Sequence, residues 1–373
     1  MSARPKTTAI AAATAALALA LSACGGSTND TKSTTAAAPP AIKSTGYFSA
    51  ESPWNTPIES LPKQKGSEEM LQLARRREAV VELPDHRGFG TVERVAEKGI
   101  AVNSVRWAPL VVEAGGNDVV AMRMVCRQRD CGPVSERVPN TLALPAATTP
   151  DPSYHGWLSV IDRHEGVGYD FWRARRESGD TISYQFAKVW KLDGPGFSKP
   201  VAEEPERAAG ARGSGLPLFA GVIGPAELRA GEINHALAIS VPGLARGVYV
   251  QPASVTDGVG SPDSLPAGAR IRLKSAALKS RPKGDSRASE EAILVALRRY
   301  GAIVVDRASV PTLYAAAGTP ADLLQENELK WLDLSDFEVV RLPELLKDPP
   351  PNQVSEEGLA TTVSAPVGGG GGG

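Results

Sequence analysis

Two histidines on strand-like segments are the residues of this chain best suited to acid–base chemistry. His155 comes two residues before Trp157, and His235 begins a run of small and aliphatic residues that ends at Val241. Alternate residues of a strand share a face, so His155 shares one with Trp157 and His235 shares one with Leu237. A histidine in such a place is either a core imidazole held by one hydrogen bond or a group at the floor of a cleft, and the pattern leaves both open.

The segment around His155 is dense in side chains that recognise sugars. Residues 154–190 contain Tyr154, Trp157, Asp162, Tyr169, Asp170, Trp172, Tyr184 and Trp190. Aromatic faces stack on the C–H surfaces of sugars, while carboxylates and arginines bind hydroxyl or uronate groups. Tryptophan and tyrosine also fill the cores of β-sandwiches, so their concentration is the informative signal. Three of the six tryptophans lie in this stretch.

Two enzyme mechanisms and one binding role fit these residues. A lyase that acts on an acidic polysaccharide needs a group that neutralises the carboxylate, a base and an acid. Its candidates are His155, His235, Tyr169, Tyr184, Arg173 and Arg212. A glycosidase needs two carboxylates that face each other across a cleft. Its candidates are Asp162, Asp170, Glu227 and Glu232. A binding or structural module of the cell envelope needs no catalytic group.

The most concrete hypothesis is a polysaccharide site in which these groups converge. Its predicted catalytic residues are His155, His235, Asp162 and Tyr169. Its predicted substrate-binding residues are Trp157, Asp170, Trp172 and Arg212. The chain has no GxxxxGK[ST], HExxH or GxSxG motif, and three cysteines exclude a zinc module of several thiolates. We therefore expect no cofactor and no metal.

The N-terminal segment predicts export. Arg4 and Lys6 precede an uncharged Ala/Leu-rich run over residues 7–21, which is too short for a transmembrane helix and typical of a signal peptide. The run ends in Leu21-Ser-Ala-Cys24, which resembles a bacterial lipobox. The resemblance implies a diacylglyceryl-modified Cys24 that anchors the protein to the extracytoplasmic face of the cell membrane. The alternative is an ordinary secretory signal cleaved near Ala23.

Composition divides the chain into four parts. Residues 1–23 are the signal peptide, and residues 24–45 are a Ser/Thr/Ala/Pro-rich flexible tether. Residues 46–346 form a single β-rich domain, and residues 347–373 form a disordered Pro/Gly-rich tail. Cys126 and Cys131 lie five residues apart in an exported protein, which predicts a disulfide. The net charge of -1 gives no reason to expect a nucleic-acid partner.

Short apolar runs bounded by Gly, Pro, Asp or Asn dominate residues 80–250. They predict a mainly β protein, an antiparallel β-sandwich or jelly roll with a few peripheral helices. Acidic residues early and arginines late predict a helix over residues 67–78. Two more helices are predicted over residues 289–300 and 321–331.

Six segments form a further pattern over about residues 150–340. They are Tyr154–Asp162, Tyr169–Ala174, Ala211–Gly221, Glu227–Leu237, Ala296–Asp306 and Ser335–Val340. In order and spacing they resemble an uncharacterised family of exported bacterial proteins. The chain departs from that pattern at Asn234, where Asp is common. It also departs after Asp306, where a glycine and an aromatic pair are usual and Pro311 and Tyr314 stand nearby. The resemblance implies one coherent exported domain and carries over no catalytic residue.

Overall fold

Short β-strands make up most of the regular structure, which confirms the predicted mainly β class. A computed structural model describes residues 46–82, 89–95, 99–116, 118–132, 137–199, 209–282 and 287–347. Strands account for 31% of the structure and helices for 14%. No helix in these ranges is long and apolar enough to cross a membrane. Cys24 and the predicted signal peptide, tether and tail from residue 348 lie outside the described residues.

The described strands follow one another in short pieces. They are β1 (Arg76–Glu82), β2 (Phe89–Val95), β3 (Ala101–Asn103), β4 (Leu110–Glu113), β5 (Val119–Cys126), β6 (Thr141–Pro145), β7 (Leu158–Asp162), β8 (Val167–Trp172) and β9 (Arg175–Arg176). They continue with β10 (Thr181–Tyr184), β11 (Phe186–Lys191), β12 (Leu237–Val241), β13 (Val248–Val250), β14 (Arg270–Leu273), β15 (Ala302–Arg307), β16 (Thr312–Tyr314), β17 (Phe337–Val339) and β18 (Leu345–Lys347). The described helices are α1 (Ser67–Ala74), α2 (Pro225–Ala230) and α3 (Ala288–Arg299).

Two four-stranded sheets share one apolar core. One sheet has the order β6-β5-β10-β9 and the other β11-β8-β7-β4. Met122 and Leu144 of the first sheet belong to the same buried cluster as Val160 and Phe171 of the second. Because side chains alternate along a strand, the opposite face of the second sheet is free to pack elsewhere. The pair of sheets is therefore sandwich-like.

A six-stranded sheet of order β17-β14-β15-β12-β16-β3 forms the next layer. Alternation along β15 sends Ile303 and Val305 into a cluster with Trp190 of β11. It sends Ala302 and Val304 into a cluster that also contains the apolar face of α3. The second sheet of the sandwich thus lies between two apolar clusters, to which β7, β8 and β11 each contribute side chains from opposite faces.

The strand pairing is mixed, whereas the sequence predicts an antiparallel arrangement. Among the described pairs, nine are antiparallel and four are parallel. The parallel pair β12–β15 arises because α3 and β14 lie between the two strands in the chain and return it to the same edge. Such crossovers are the usual route to parallel pairing.

The predicted helix over residues 321–331 is wrong, and that segment is a series of turns. Two of its carbonyl groups bond to a neighbouring segment, and those of Gln325 and Asn327 bond to amides only three residues on. The Glu326 carbonyl accepts from the Val102 amide at 3.1 Å, and the Leu329 carbonyl accepts from the Ile100 amide at 3.3 Å. Tertiary hydrogen bonds thus replace the helical ones. Helix α1 also ends at Ala74, four residues earlier than predicted, because β1 begins at once.

The predicted Cys126–Cys131 disulfide is confirmed. Cys131 is fully buried in the core of the sandwich, and Cys126 ends β5. The bridge therefore fixes the loop 127–130 against the end of the sandwich.

Removing this bridge is expected to reduce stability modestly. A Cys126→Ser, Cys131→Ser double variant should lose about 2 kcal/mol of unfolding free energy, because a short loop restricts the unfolded chain only slightly. Urea unfolding of the oxidised parent and the double variant measures the difference. A loss above about 4 kcal/mol would show that the bridge also maintains native packing.

Candidate functional site

Five aromatic rings meet at one end of the second sheet, and we call them the aromatic patch: Trp107, Tyr154, His155, Trp157 and Trp172. The His155 ring lies 4.6 Å from Trp107, 6.0 Å from Trp157 and 6.2 Å from Trp172, centroid to centroid. Trp107 also contacts Tyr154 at 5.6 Å. All four contacts are edge-on, the arrangement that ring quadrupoles favour. His155 is the hub of the patch.

The strands β7 and β8 bring these rings together. Their antiparallel pairing continues past the strand ends, where the Arg173 amide donates to the His155 carbonyl at 2.8 Å. Trp157 immediately precedes β7 and Trp172 ends β8, so the two indoles lie at the same edge. A 3-10 turn over Pro152–Tyr154 then places His155 beside them.

The backbone beneath the patch is strained. Five described residues other than glycine have positive φ, and three of them lie here: Trp107 (57°), His155 (63°) and Arg173 (53°). Bulky side chains rarely adopt this conformation. Gly156 between them has a φ of 53°, and a Cβ there would approach the Ala174 carbonyl oxygen to 2.1 Å. Strain of this kind concentrates at functional sites.

The patch is open to solvent on one side and closed on the other. Trp107 is 39% exposed, and His155 is also exposed. Trp157 is buried, and its Nε1 has no hydrogen-bond partner among the described residues. Partial burial, together with the nearby Arg173 charge, lowers the pKa of His155 below its usual 6.5. The imidazole is therefore neutral at pH 7.

Behind Trp157 lies a buried charge network centred on Arg212. The guanidinium carbon lies 5.8 Å from the Trp157 ring and 4.7 Å from the Tyr314 ring. Its Nη1 binds Asp306 Oδ2 at 3.1 Å, while Nη2 donates to the Leu218 carbonyl at 2.9 Å. Arg212 is only 1% exposed, so it cannot touch a ligand in solution. It supports the site from within.

Asp170 is the second buried carboxylate of this network. It accepts hydrogen bonds from the Ser159 hydroxyl (2.6 Å), the Trp190 indole (2.8 Å) and the Leu218 amide (2.7 Å). Complete burial raises the pKa of Asp170 to about 6, although these hydrogen bonds oppose the rise. Asp170 holds β7, β8, β11 and the loop at Leu218 together.

Asp306, near the end of β15, is the carboxylate of this network that binds Arg212 directly. Burial raises the pKa of Asp306 to about 7; the Arg212 charge opposes this rise and the Asp257 carboxylate adds to it. The Gly213 amide donates to its second oxygen. Tyr314 stacks on Arg212 and bonds Ser240 at 2.6 Å. Tyr314 and Asp306 were not among the predicted site residues, because their positions become meaningful only when β12, β15 and β16 are aligned.

The predicted convergence of catalytic groups is wrong in its geometry. Tyr169 lies in the core of the sandwich, on the face of β8 opposite to Asp170. Asp162 lies at the far end of β7 and accepts from the Glu165 amide in a turn at 2.9 Å. Strand alternation and strand length separate both residues from His155.

His235 is also separate from the aromatic patch. Its Nε2 lies 3.0 Å from Glu227 Oε1, and Nδ1 lies 2.9 Å from the Ala236 carbonyl. Burial opposes its charge, but the Glu227 carboxylate and this carbonyl outweigh that effect and raise the pKa of His235. None of the contacts described joins it to His155. His235 therefore holds α2 against the start of β12.

Of the predicted site residues, His155, Trp157 and Trp172 meet in the patch, and Arg212 reaches it through Trp157. Asp170 is 0% exposed and, like Arg212, is a positioning group where a substrate-binding group was predicted. Trp107 was missed because it is isolated in the sequence, in the loop before β4.

No protein-family model matches the chain, and comparisons with curated proteins and with solved structures found no match.

Proposed function

We propose that this chain is an exported protein that binds a polysaccharide of the cell envelope at the aromatic patch. One observation carries the proposal: three of the six tryptophans meet around His155, with Trp107 exposed and Arg173 at the rim. An exposed indole beside other ring edges offers the apolar surface on which sugar C–H groups stack. Large exposed aromatics in contact with one another are a feature of binding surfaces.

The polar groups of the patch suit a hydroxyl-rich ligand. A neutral His155 imidazole both donates and accepts hydrogen bonds. The exposed Arg173 guanidinium at the rim adds hydrogen-bond donors. Together they supply the few placed polar groups that a mostly apolar sugar site needs.

Binding is favoured over cleavage. The groups expected to perform acid–base chemistry with His155 lie elsewhere: Tyr169 in the core, Asp162 across the sheet and His235 with Glu227. A glycan panel assayed for new reducing ends and for unsaturated uronates tests this directly, with His155→Ala and His235→Ala alongside. Turnover that is lost in His155→Ala would replace the binding proposal with an enzymatic one.

The proposal places the protein on the outer face of the cell membrane, tethered through Cys24. Support comes from the basic, apolar and Leu21-Ser-Ala-Cys24 order of the leader. Two acyl chains on one residue suffice for stable anchoring. Mass spectrometry of the membrane fraction should find a diacylglyceryl-modified Cys24 as the mature N-terminus. An unmodified N-terminus after Ala23 in the culture medium would contradict the anchor.

A Trp107→Ala variant is expected to bind envelope polysaccharide about five- to tenfold more weakly than the parent. Loss of one stacked indole removes about 1–1.5 kcal/mol, which corresponds to that factor. Isothermal titration calorimetry against a panel of envelope glycans measures it. Trp331→Ala is the matched control, because that indole packs near α3 and donates to Glu290 at 3.0 Å.

Two results would contradict the proposal. The parent protein binding no envelope glycan would remove the function altogether. Unchanged affinity in both Trp107→Ala and His155→Ala, with parent-like melting temperatures, would move the binding surface away from the patch.

A further inference from the structure

We propose that Arg127, Arg173 and Arg175 form an anion subsite beside the aromatic patch, so that the polysaccharide recognised is an acidic one. This inference rests on the proposed function, since it assigns a chemical class to the ligand of the same surface. The ligand group it would take is an oxyanion, either the carboxylate of a uronate or the phosphate of a phosphodiester-linked glycan.

The disulfide loop carries the first arginine to the patch. Arg127 follows Cys126 directly, and its guanidinium donates to the Arg173 carbonyl. The Arg127 amide donates to the Tyr184 carbonyl at 2.9 Å, which fixes the loop to β10. The Arg173 carbonyl thus binds the disulfide loop, while the Arg173 side chain contacts Trp172 and Gln185. The loop and the patch are parts of one surface.

Arg173 connects this loop to the aromatic rings. Its guanidinium carbon lies 4.3 Å from the Trp172 ring centroid, and its Nη1 donates to the Gln185 side chain at 3.1 Å. A sugar stacked on the patch would thus have a cationic group within reach of its substituents. Stacking on Trp172 holds the guanidinium plane in place and leaves its other donors free for an anion.

The surface around Arg127, Arg173 and Arg175 carries more positive than negative charge. Within the described residues, neither Arg127 nor Arg173 forms an ion pair with a carboxylate. Arg175 binds Glu177 at 2.6 Å, and Glu177 also accepts from the Ser183 hydroxyl. Three arginines therefore face one carboxylate that is already engaged.

Arg127 also has an unsatisfied donor. Its Nε is buried and has no hydrogen-bond partner among the described groups. Burial, with the Arg175 and Arg173 charges, lowers the pKa of Arg127, while Glu177 opposes that change. The nearest carboxylate of the loop, Asp130, accepts from the Gly132 amide. Like charges held together beside an unused donor are stabilised by a bound oxyanion.

The test compares three probes on the full chain: an oligogalacturonate, its methyl ester and a glycerol-phosphate polymer. The parent protein is expected to bind one of the two anionic probes at least tenfold more tightly than the neutral ester. Which anionic probe binds more tightly identifies the source of the oxyanion. Raising the salt concentration should shrink this preference, because exposed charges are screened.

Variants assign the preference to the arginines. Arg127→Gln and Arg173→Gln should each reduce the preference at least fivefold, and Arg127→Gln should leave affinity for the ester unchanged. Arg129→Gln is the matched control, because Arg129 lies in the same disulfide loop and is exposed. It should retain the parent preference. The salt titration of the unmodified protein keeps the test valid if a variant does not fold.

The outcomes separate this inference from the function it rests on. If the ester and the anionic probes bind equally and Trp107→Ala abolishes both, the patch binds sugars and the anion subsite is overturned. A preference that survives both arginine substitutions, or that high salt leaves unchanged, also overturns the subsite. If the parent protein binds none of the probes or other envelope glycans, the proposed function itself fails.

Discussion

An Arg212→Met variant is expected to unfold with a free energy about 3–5 kcal/mol below that of the parent protein at pH 8. The substitution leaves the Asp306 carboxylate buried without its cation. It also leaves the Pro217 and Leu218 carbonyls without the guanidinium donors that bind them now. Methionine preserves most of the volume, so the loss comes from the uncompensated charge. Urea unfolding measures it.

Two controls make the result specific. Arg298→Met removes an exposed arginine from α3 and should change stability by less than about 0.5 kcal/mol. A double variant with Asp306→Asn should recover part of the loss, because the orphaned charge is gone. A loss below about 1 kcal/mol for Arg212→Met alone would show that the charge network contributes little to the fold.

The fold is expected to lose stability as the pH rises from about 4 to 7. A carboxyl group whose pKa is higher in the folded state than in the unfolded chain binds its proton more tightly when folded. Its contribution is therefore complete near pH 4 and is lost as the pH passes the folded value. Asp170, with a pKa of about 6 against an ordinary 3.8, accounts for about 3 kcal/mol of this change.

Asp306 and His235 act in the same direction, whereas Lys188, whose pKa burial lowers to about 7, opposes them as the pH rises above that value. Asp306, with a pKa of about 7, extends the loss toward neutral pH. His235, whose pKa is raised from 6.5, adds stability below pH 6.5 that is lost as the pH rises through its folded value. Thermal melts at pH 5 and pH 8 test the sum, and the higher melting temperature is expected at pH 5.

Asp170→Asn isolates the contribution of one carboxyl group. The amide oxygen can accept from Trp190 and Leu218, and the amide nitrogen can donate to Ser159, whose hydroxyl then acts as the acceptor. The fold should therefore survive with a flatter pH dependence. An unchanged slope between pH 4 and 7 in this variant would contradict a raised Asp170 pKa.

Local features of the fold followed from the sequence, and features that need distant segments did not. The disulfide depends on two cysteines five residues apart, and α3 depends on one periodic run. Residues 321–331 also carry a helical pattern, but the carbonyls of Glu326 and Leu329 bond to Val102 and Ile100, which no local pattern reveals. Likewise the register of β12 with β15, which brings Ser240 beside Asp306, is set by the whole sheet.

The site was predictable where its residues are neighbours in the chain. His155, Trp157 and Trp172 lie within one stretch of alternating strands, and their types point to sugar binding. Residue type does not give exposure, so Asp170 was predicted to touch a substrate although it is buried. The alternation of side chains along β8 already predicts that Tyr169 and Asp170 lie on opposite faces of the sheet. Trp107 joins the site from a separate loop.

Under the proposed function, the left-handed backbone at Trp107, His155 and Arg173 is a compromise between folding and recognition. Each such residue costs roughly 1–3 kcal/mol relative to a relaxed conformation, and glycine would remove that cost. Glycine would also remove the ring or guanidinium and loosen the loop. A surface that is already rigid loses less conformational entropy when a flexible glycan chain settles on it. Under the proposed function, the protein thus holds this surface preorganised at the expense of thermal stability.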